Sequence, residues 1–356
     1  MTRASFPVLR EFAYLNAGSV GPLATETVEA MRAEEDRILQ VGRGGLPSFM
    51  RLLETRERVR ELFATLLHVD AAQVALTAST TDGCQVVLAG LDLAPDDEIV
   101  TTDDEHFGLL GPVHATGARV RVAHIGGRGG EEAFAAIRAE IGARTRVLAL
   151  SQVLWTTGER LPVERLRAET GIPVLVDGAQ STGALDVDGN AVDFLTVSAQ
   201  KWLCGPEATG ALVVRDPEGL QVARPTYLGQ AGYEHDGSFV PKQGAARFDT
   251  VLASAPATAG LVAALEGRPD DFAARGAAAA ARCRELLAER VEVVTAPGQS
   301  GLVAWRGADL DTAATAARLA AQGVIVRDIP GRGLLRASCG WWTSEDDLQR
   351  LAAALD

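Results

Sequence analysis

Of the chain's 34 basic residues only two are lysines, Lys201 and Lys242. Arginine carries every other positive charge of that kind. A lysine retained against such a bias is a candidate for chemistry that arginine cannot do. A deprotonated amine attacks an aldehyde to form an imine, whereas a guanidinium stays protonated. Lys201 follows the apolar, β-branched run "DFLTVSAQ", which places it just past a strand end beside Ser198 and Gln200. A second run, "PVLVD", delivers Asp177 to another strand end, with Gln180 shortly after it. A third, "QVALTA", leads into "STTDG", where the hydroxyls of Thr80 and Thr81 meet the free N–H groups of a helix N-terminus. Such a terminus is a ready anion site.

In open α/β sheets, ligands sit at the carboxyl ends of strands. An amine for an aldehyde, a carboxylate for a protonated pyridine and an anion site for a phosphate are together what pyridoxal 5′-phosphate (PLP) requires. On this reading Lys201 carries the cofactor as a Schiff base. Asp177 keeps the ring nitrogen protonated, and Thr80 and Thr81 hold the phosphate. Gln180 is placed to reach the phenolic oxygen or the phosphate. Alone, each motif is equally a loop lysine, a strand-end turn or a helix cap. The three in this order are far more specific.

The elements that must position these residues follow from periodicity. Short apolar strands are expected at 73–78, 98–102, 119–125, 146–153, 173–180, 193–199 and 209–215, most of them separated by helical patterns. That alternation predicts an α/β architecture with a mostly parallel seven-stranded sheet. From about residue 270 the pattern changes to helix, two strands ("VEVVTA", "GLVAWRG"), helix, two strands ("GVIVRDI", "GLLRASC") and a final helix. Thr343 and Asp346 resemble a capping box for that helix. We expect a large domain over 14–250 and a small α+β domain over 251–356, with residues 1–13 packing on the latter. The Gly-rich "GGRGGEE" (126–132) lacks a phosphate-loop pattern and reads as a surface turn.

Bulk properties exclude other classes. A net charge of −13 and a pI near 5.0 argue against a nucleic-acid partner. Four scattered cysteines form no CxxC pair and five histidines make no ligand spacing, so neither a metal site nor a disulfide framework is expected. No apolar run approaches the roughly 20 residues of a membrane span, and no signal-peptide pattern opens the chain. A cytoplasmic protein is expected. A nicotinamide-binding fold is disfavoured because no glycine fingerprint follows an early strand.

The segment "VLVDGAQSTGALDVD…VDFLTVSAQKWLCGPEATGALVVR" (174–215) resembles the class V aminotransferase family, fold type I PLP enzymes that include cysteine desulfurases, kynureninase and isopenicillin N epimerase. The resemblance extends over nearly the whole chain. It implies Lys201 as the Schiff-base lysine, Asp177 as the pyridinium partner and Gln180 near the cofactor oxygen. It places Thr80, Thr81, Ser198 and Gln200 at the phosphate. It further implies that His106 of "DEHFG" stacks on the cofactor ring, that Arg336 of "LLRASCG" grips the substrate carboxylate, and that the protein is a homodimer.

Departures from the family pattern bear on the reaction. Desulfurases carry a nucleophilic cysteine on the loop before the arginine strand, and here that stretch is "VIVRDIPGRG" (324–333), without cysteine. Trp155 stands where desulfurases have asparagine. A partner-subunit phosphate contact is not evident in "RFDTVLASAPA" (247–257), where Thr250 and Ser254 are the available hydroxyls. The leading expectation is Cα-proton abstraction from an amino-acid substrate, as in the epimerase and C–S lyase branch. Transamination is the runner-up, desulfuration is disfavoured, and a non-catalytic PLP-binding protein is a minor alternative.

Overall fold

A computed structural model describes residues 1–250, 254–307 and 311–355. Strand β1 (Ala13–Tyr14) is followed by two long helices, α1 (Thr25–Val41) and α2 (Leu46–Leu66), which the sequence reading had not assigned. Then comes the expected alternation: β2 (Val74–Thr77), α3 (Thr80–Gly90), β3 (Glu98–Thr102), α4 (Phe107–Ala115), β4 (Arg119–Ala123), α5 (Gly130–Ala139), β5 (Thr145–Ser151), α6 (Val163–Thr170) and β6 (Val174–Asp177). Strands β7 (Phe194–Ser198) and β8 (Gly210–Val214) complete one seven-stranded sheet in the order β2-β8-β7-β6-β5-β3-β4. Only β8 runs antiparallel to its neighbours.

Both faces of the sheet's inner strands are buried, which is why those strands read as nearly continuous apolar runs, whereas edge strand β4 is mostly half-exposed and alternates arginine with valine. Val74, Leu76, Val100, Leu148, Leu150, Val176 and Leu195 join one core cluster, while Ala75, Ile99, Val147, Ala149 and Leu175 join another. The alternation by residue is the strand period of two. Truncating a fully buried leucine such as Leu148 to alanine would cost about 2–5 kcal/mol in a core of this kind.

A short hairpin follows, β9 (Gln230–Tyr233) with β10 (Phe239–Pro241). Helices α7 (Ala255–Gly267) and α8 (Phe272–Ala288) then lead to β11 (Leu302–Arg306), α9 (Thr312–Ala321), β12 (Val324–Ile325), β13 (Arg327–Ile329), β14 (Leu334–Ser338) and α10 (Glu345–Ala353). The order β11-β14-β13 forms an antiparallel sheet. Strand β12 pairs in parallel with β1, so the start of the chain packs among the C-terminal elements. The division expected between 250 and 251 borders residues 251–253, which lie outside the described residues. No helix among those described is long and apolar enough to cross a membrane.

Three local expectations need correction. "VEVVTA" makes only one bridge, Val293 with Trp305. Thr295 Oγ1 takes the Ala304 N–H at 2.7 Å, so a side chain replaces the next rung of the ladder. "GVIVRDI" is two strands, not one, because the segment leaves β1 and joins β14. The last helix is capped one residue later than expected. Ser344 and Asp347 form the capping box, while Thr343 Oγ1 accepts the Gly340 N–H.

A buried ionic cluster fixes the sheet edge that leads into α3. Asp249 accepts the Leu76 N–H at 2.8 Å and pairs with Arg56 at 2.8 Å and Arg60 at 3.0 Å. Thr250 Oγ1 then hydrogen-bonds Asp82 in the first turn of α3. Ser254 caps α7 through the Ala257 N–H. Both hydroxyls considered as phosphate contacts are thus engaged within the chain.

Candidate active site

The carboxyl ends of β5, β6 and β7 and the N-terminus of α3 enclose a cavity of about 190 Å³. Thr80, Thr81, His106, Asp177, Gln180, Ser198, Gln200 and Lys201 all line it. Sequence positions more than a hundred residues apart are therefore brought to one place by the parallel topology. A larger groove of about 1010 Å³ adjoins it along Thr81 and His106, but neither Lys201 nor Asp177 lines that groove. The chemistry-bearing groups converge on the smaller space.

Asp177 ends β6, and its Oδ1 accepts the Ala179 N–H at 2.9 Å, which fixes the turn that follows. Lys201 is held below its ordinary pKa, chiefly by burial and also by Arg336, while Asp177 opposes the shift. A neutral amine is consequently available at lower pH than for a surface lysine. Arg336 is fully buried on β14, with its guanidinium against the Trp155 carbonyl and its Nε without a partner. Burial, with Arg327 next to it, lowers its pKa to about 9. An anionic partner would relieve both defects.

The anion site is built on α3. Ser198 Oγ accepts the Thr80 N–H at 3.0 Å, and Ser79 Oγ accepts that of Asp82 at 3.2 Å. Thr81 N–H has no acceptor among the described residues. Gln200 Oε1 is buried without a partner. Gln180 is held at both ends, donating to the Gly18 carbonyl at 2.9 Å and accepting from the Trp202 indole at 3.1 Å.

His106 caps α4, its Nδ1 accepting the Gly108 N–H at 3.0 Å. Burial, then Lys201, keeps its pKa below the usual value, so the ring is neutral at physiological pH. Trp155 meets it edge-on, with centroids 5.3 Å apart and planes at 85°. Sequence reading missed two lining or supporting groups, Ser151 and Glu105. The only signal for Glu105 was its place beside the histidine in "DEH".

The four cysteines are buried and unpaired by disulfides, and none lines the cavity among the described residues. Burial drives the Cys84 and Cys204 thiols well above their normal pKa. Cys339 is pushed in the same direction by its contact with Cys283 and by burial.

This arrangement fits PLP. It offers a buried amine with a lowered pKa, a carboxylate in the same cavity and a helix N-terminus with a spare donor. The Aminotransferase class-V family profile matches residues 14–351. The chain is 30% identical to isopenicillin N epimerase of Streptomyces clavuligerus, over 96% of this chain and 94% of that one. It is 29% identical to a probable cysteine desulfurase of Pseudomonas aeruginosa, over 99% and 96%. Its fold is similar to the cystine C–S lyase C-DES in complex with its product cysteine persulfide, at a TM-score of 0.91 and 28% identity, covering 98% of both chains. A lysine-to-alanine variant of C-DES, with glycine covalently linked to the PLP cofactor, matches at 0.92 and 28% identity, over 100% of this chain and 99% of that one. The chain belongs to the class V aminotransferase family, and it is a PLP-dependent fold type I enzyme.

Proposed function

We propose that this enzyme abstracts the Cα proton of a sulfur-containing amino acid and releases the sulfur by β-elimination, with Lys201 as the base. The observation that carries this reading is a cavity with one buried amine as its strong base and no thiol among its described lining residues. Likeness to C-DES over the whole chain supports the substrate class. Epimerisation is the second reading, favoured by the full-length likeness to isopenicillin N epimerase. Transamination shares the first proton transfer and differs in where the proton returns.

PLP in this cavity would supply an electron sink conjugated to the substrate Cα. Lys201 Nζ would hold it covalently, then take the Cα proton once the substrate amine has displaced it. Asp177 would face the ring nitrogen and stabilise its positive charge. Thr80, Thr81, Ser198 and Gln200 would hold the phosphate, and Gln180 would stay near the phenolic oxygen. His106, neutral, would cover the ring, and Arg336 would bind the substrate carboxylate as a charge-assisted fork. We further infer a cytoplasmic homodimer. Four unpaired cysteines suit a reducing compartment, and sedimentation would test the assembly.

Persulfide transfer would need a reachable, low-pKa thiolate. Substituting Cys84, Cys204, Cys283 and Cys339 by alanine or serine should therefore leave kcat within about threefold in any combination that still folds. With cystine, pyruvate and ammonia should appear in equal amounts, and after incubation with cysteine no persulfide should be found on the protein. Alanine release with a persulfide on Cys339 would restore desulfuration. Inverted amino acid without pyruvate would favour the epimerase, and a keto acid formed without ammonia would favour the transaminase.

A further inference from the structure

We propose that Glu105 is a positioning residue that sets the Ser151 hydroxyl: ionised, it holds that hydroxyl away from the cavity, and on taking up a proton it turns Ser151 into a donor directed into the cavity beside Asp177. This inference rests on the cofactor lying in the Lys201 cavity and is independent of which reaction follows.

Glu105 sits in the loop between β3 and α4, immediately before His106, and is buried. Three donors converge on its carboxyl group. The Ser151 N–H reaches Oε2 at 3.0 Å, the Ser151 hydroxyl reaches the same oxygen at 2.5 Å, and the Thr102 hydroxyl reaches Oε1 at 3.0 Å. The carboxylate thereby staples the carboxyl ends of β3 and β5. Ser151 is the register partner of Asp177 on β6 and lines the cavity. One side chain thus connects the histidine loop, two strand ends and the neighbour of Asp177.

No ion pair reaches Glu105 among the described residues. The charged and titratable groups that act on it are Asp177 from β6 and the Cys84 thiol from α3, while Asp104 and His106 flank it in sequence on its own loop. Asp104 is itself turned to Arg332, at 2.8 Å. Burial, with Asp177 adding to it, raises the Glu105 pKa to about 7 against the three hydrogen bonds. Both forms are accordingly populated near neutral pH.

The two forms demand different partners. An ionised carboxylate only accepts, and three donors suit it. A protonated one must also donate, and the oxygens in reach are those of Thr102 and Ser151. Thr102 Oγ1 already accepts the Asp104 N–H at 3.3 Å, and Thr102, unlike Ser151, does not line the cavity. Ser151 can accept from Glu105 and release its own hydrogen into the cavity. The proton stays on Glu105 Oε2, and only the serine hydroxyl rotates.

The test needs no substrate. The wild-type holoprotein, labelled with carboxyl-¹³C glutamate, should show one glutamate resonance titrating about pH 7. S151A, having lost a donor to the carboxylate, should move that titration to higher pH. In holoprotein reduced with borohydride the imine no longer titrates, and the fluorescence of the fixed cofactor should still step over the same pH range. That step should vanish in both S151A and E105Q. The proposal is overturned if no glutamate titrates between pH 6 and 8. It is overturned equally if the wild-type cofactor shows no step, or if the step survives in S151A. The resonance and S151A decide the matter even where E105Q does not fold.

Discussion

Replacing Lys201 with alanine should lower turnover by about 10⁴-fold or more, because one side chain is asked to serve as both covalent anchor and general base. General-base catalysis alone is commonly worth about 10²–10⁴-fold. The neighbouring groups do not substitute for it. His106 is committed through Nδ1 to the Gly108 N–H, and Arg336, with its pKa lowered to about 9, is still a cation at neutral pH. The variant should still bind PLP, since Thr80, Thr81, Ser198 and Gln200 are untouched. A small added amine should restore part of the lost rate. Steady-state assays at saturating cofactor would check this, and a residual rate above about a tenth of wild type would remove Lys201 from the proposed role.

The Asp177→Asn variant should lose about 10²–10³-fold in kcat, the usual scale for removing one preorganised electrostatic contact at a reacting centre. Asparagine keeps an oxygen for the Ala179 N–H, so the turn after β6 survives. What disappears is the negative charge. Two effects follow with definite signs. A pyridine nitrogen facing a neutral amide holds its proton less firmly, which weakens the electron sink. The Lys201 pKa, which Asp177 now holds up against burial, falls further, so the amine becomes neutral at still lower pH. The acid limb of the cofactor-free lysine's reactivity, measured by acylation rate against pH, should therefore move down. Cofactor affinity should change much less than kcat. A variant with wild-type turnover would contradict the assignment.

Much of this was legible in the chain itself, for identifiable reasons. The large sheet was readable because its inner strands are buried on both faces, so "VLVD" and "FLTVS" are mostly apolar runs with a polar residue at each carboxyl end, the one interior exception, Thr196, donating its hydroxyl to the Val176 carbonyl. Those ends are where the cavity lies. Lys201 stood out by scarcity, and Asp177 and Thr80 by ending or following strands. His106 and Arg336 were reached only through family resemblance, since neither lies in a pattern that announces its role. Beyond its place beside His106, Glu105 carried no signal, because its significance comes from Ser151, far away in sequence and adjacent only after β3 and β5 pair. In the C-terminal part, β12 and β13 are only two and three residues long, with mixed burial, and carried little periodicity. There a single threonine, Thr295, displaced a ladder bond that the pattern of "VEVVTA" had suggested.

The assignment of the chemistry to Lys201 can be tested most directly by reducing the purified holoprotein with borohydride and mapping the modified peptide by mass spectrometry. With only two lysines in the chain, the outcomes are few. The account predicts one PLP per chain, fixed to Lys201. An adduct on Lys242, whose side chain does not line the cavity, or a protein that retains no cofactor, would contradict it.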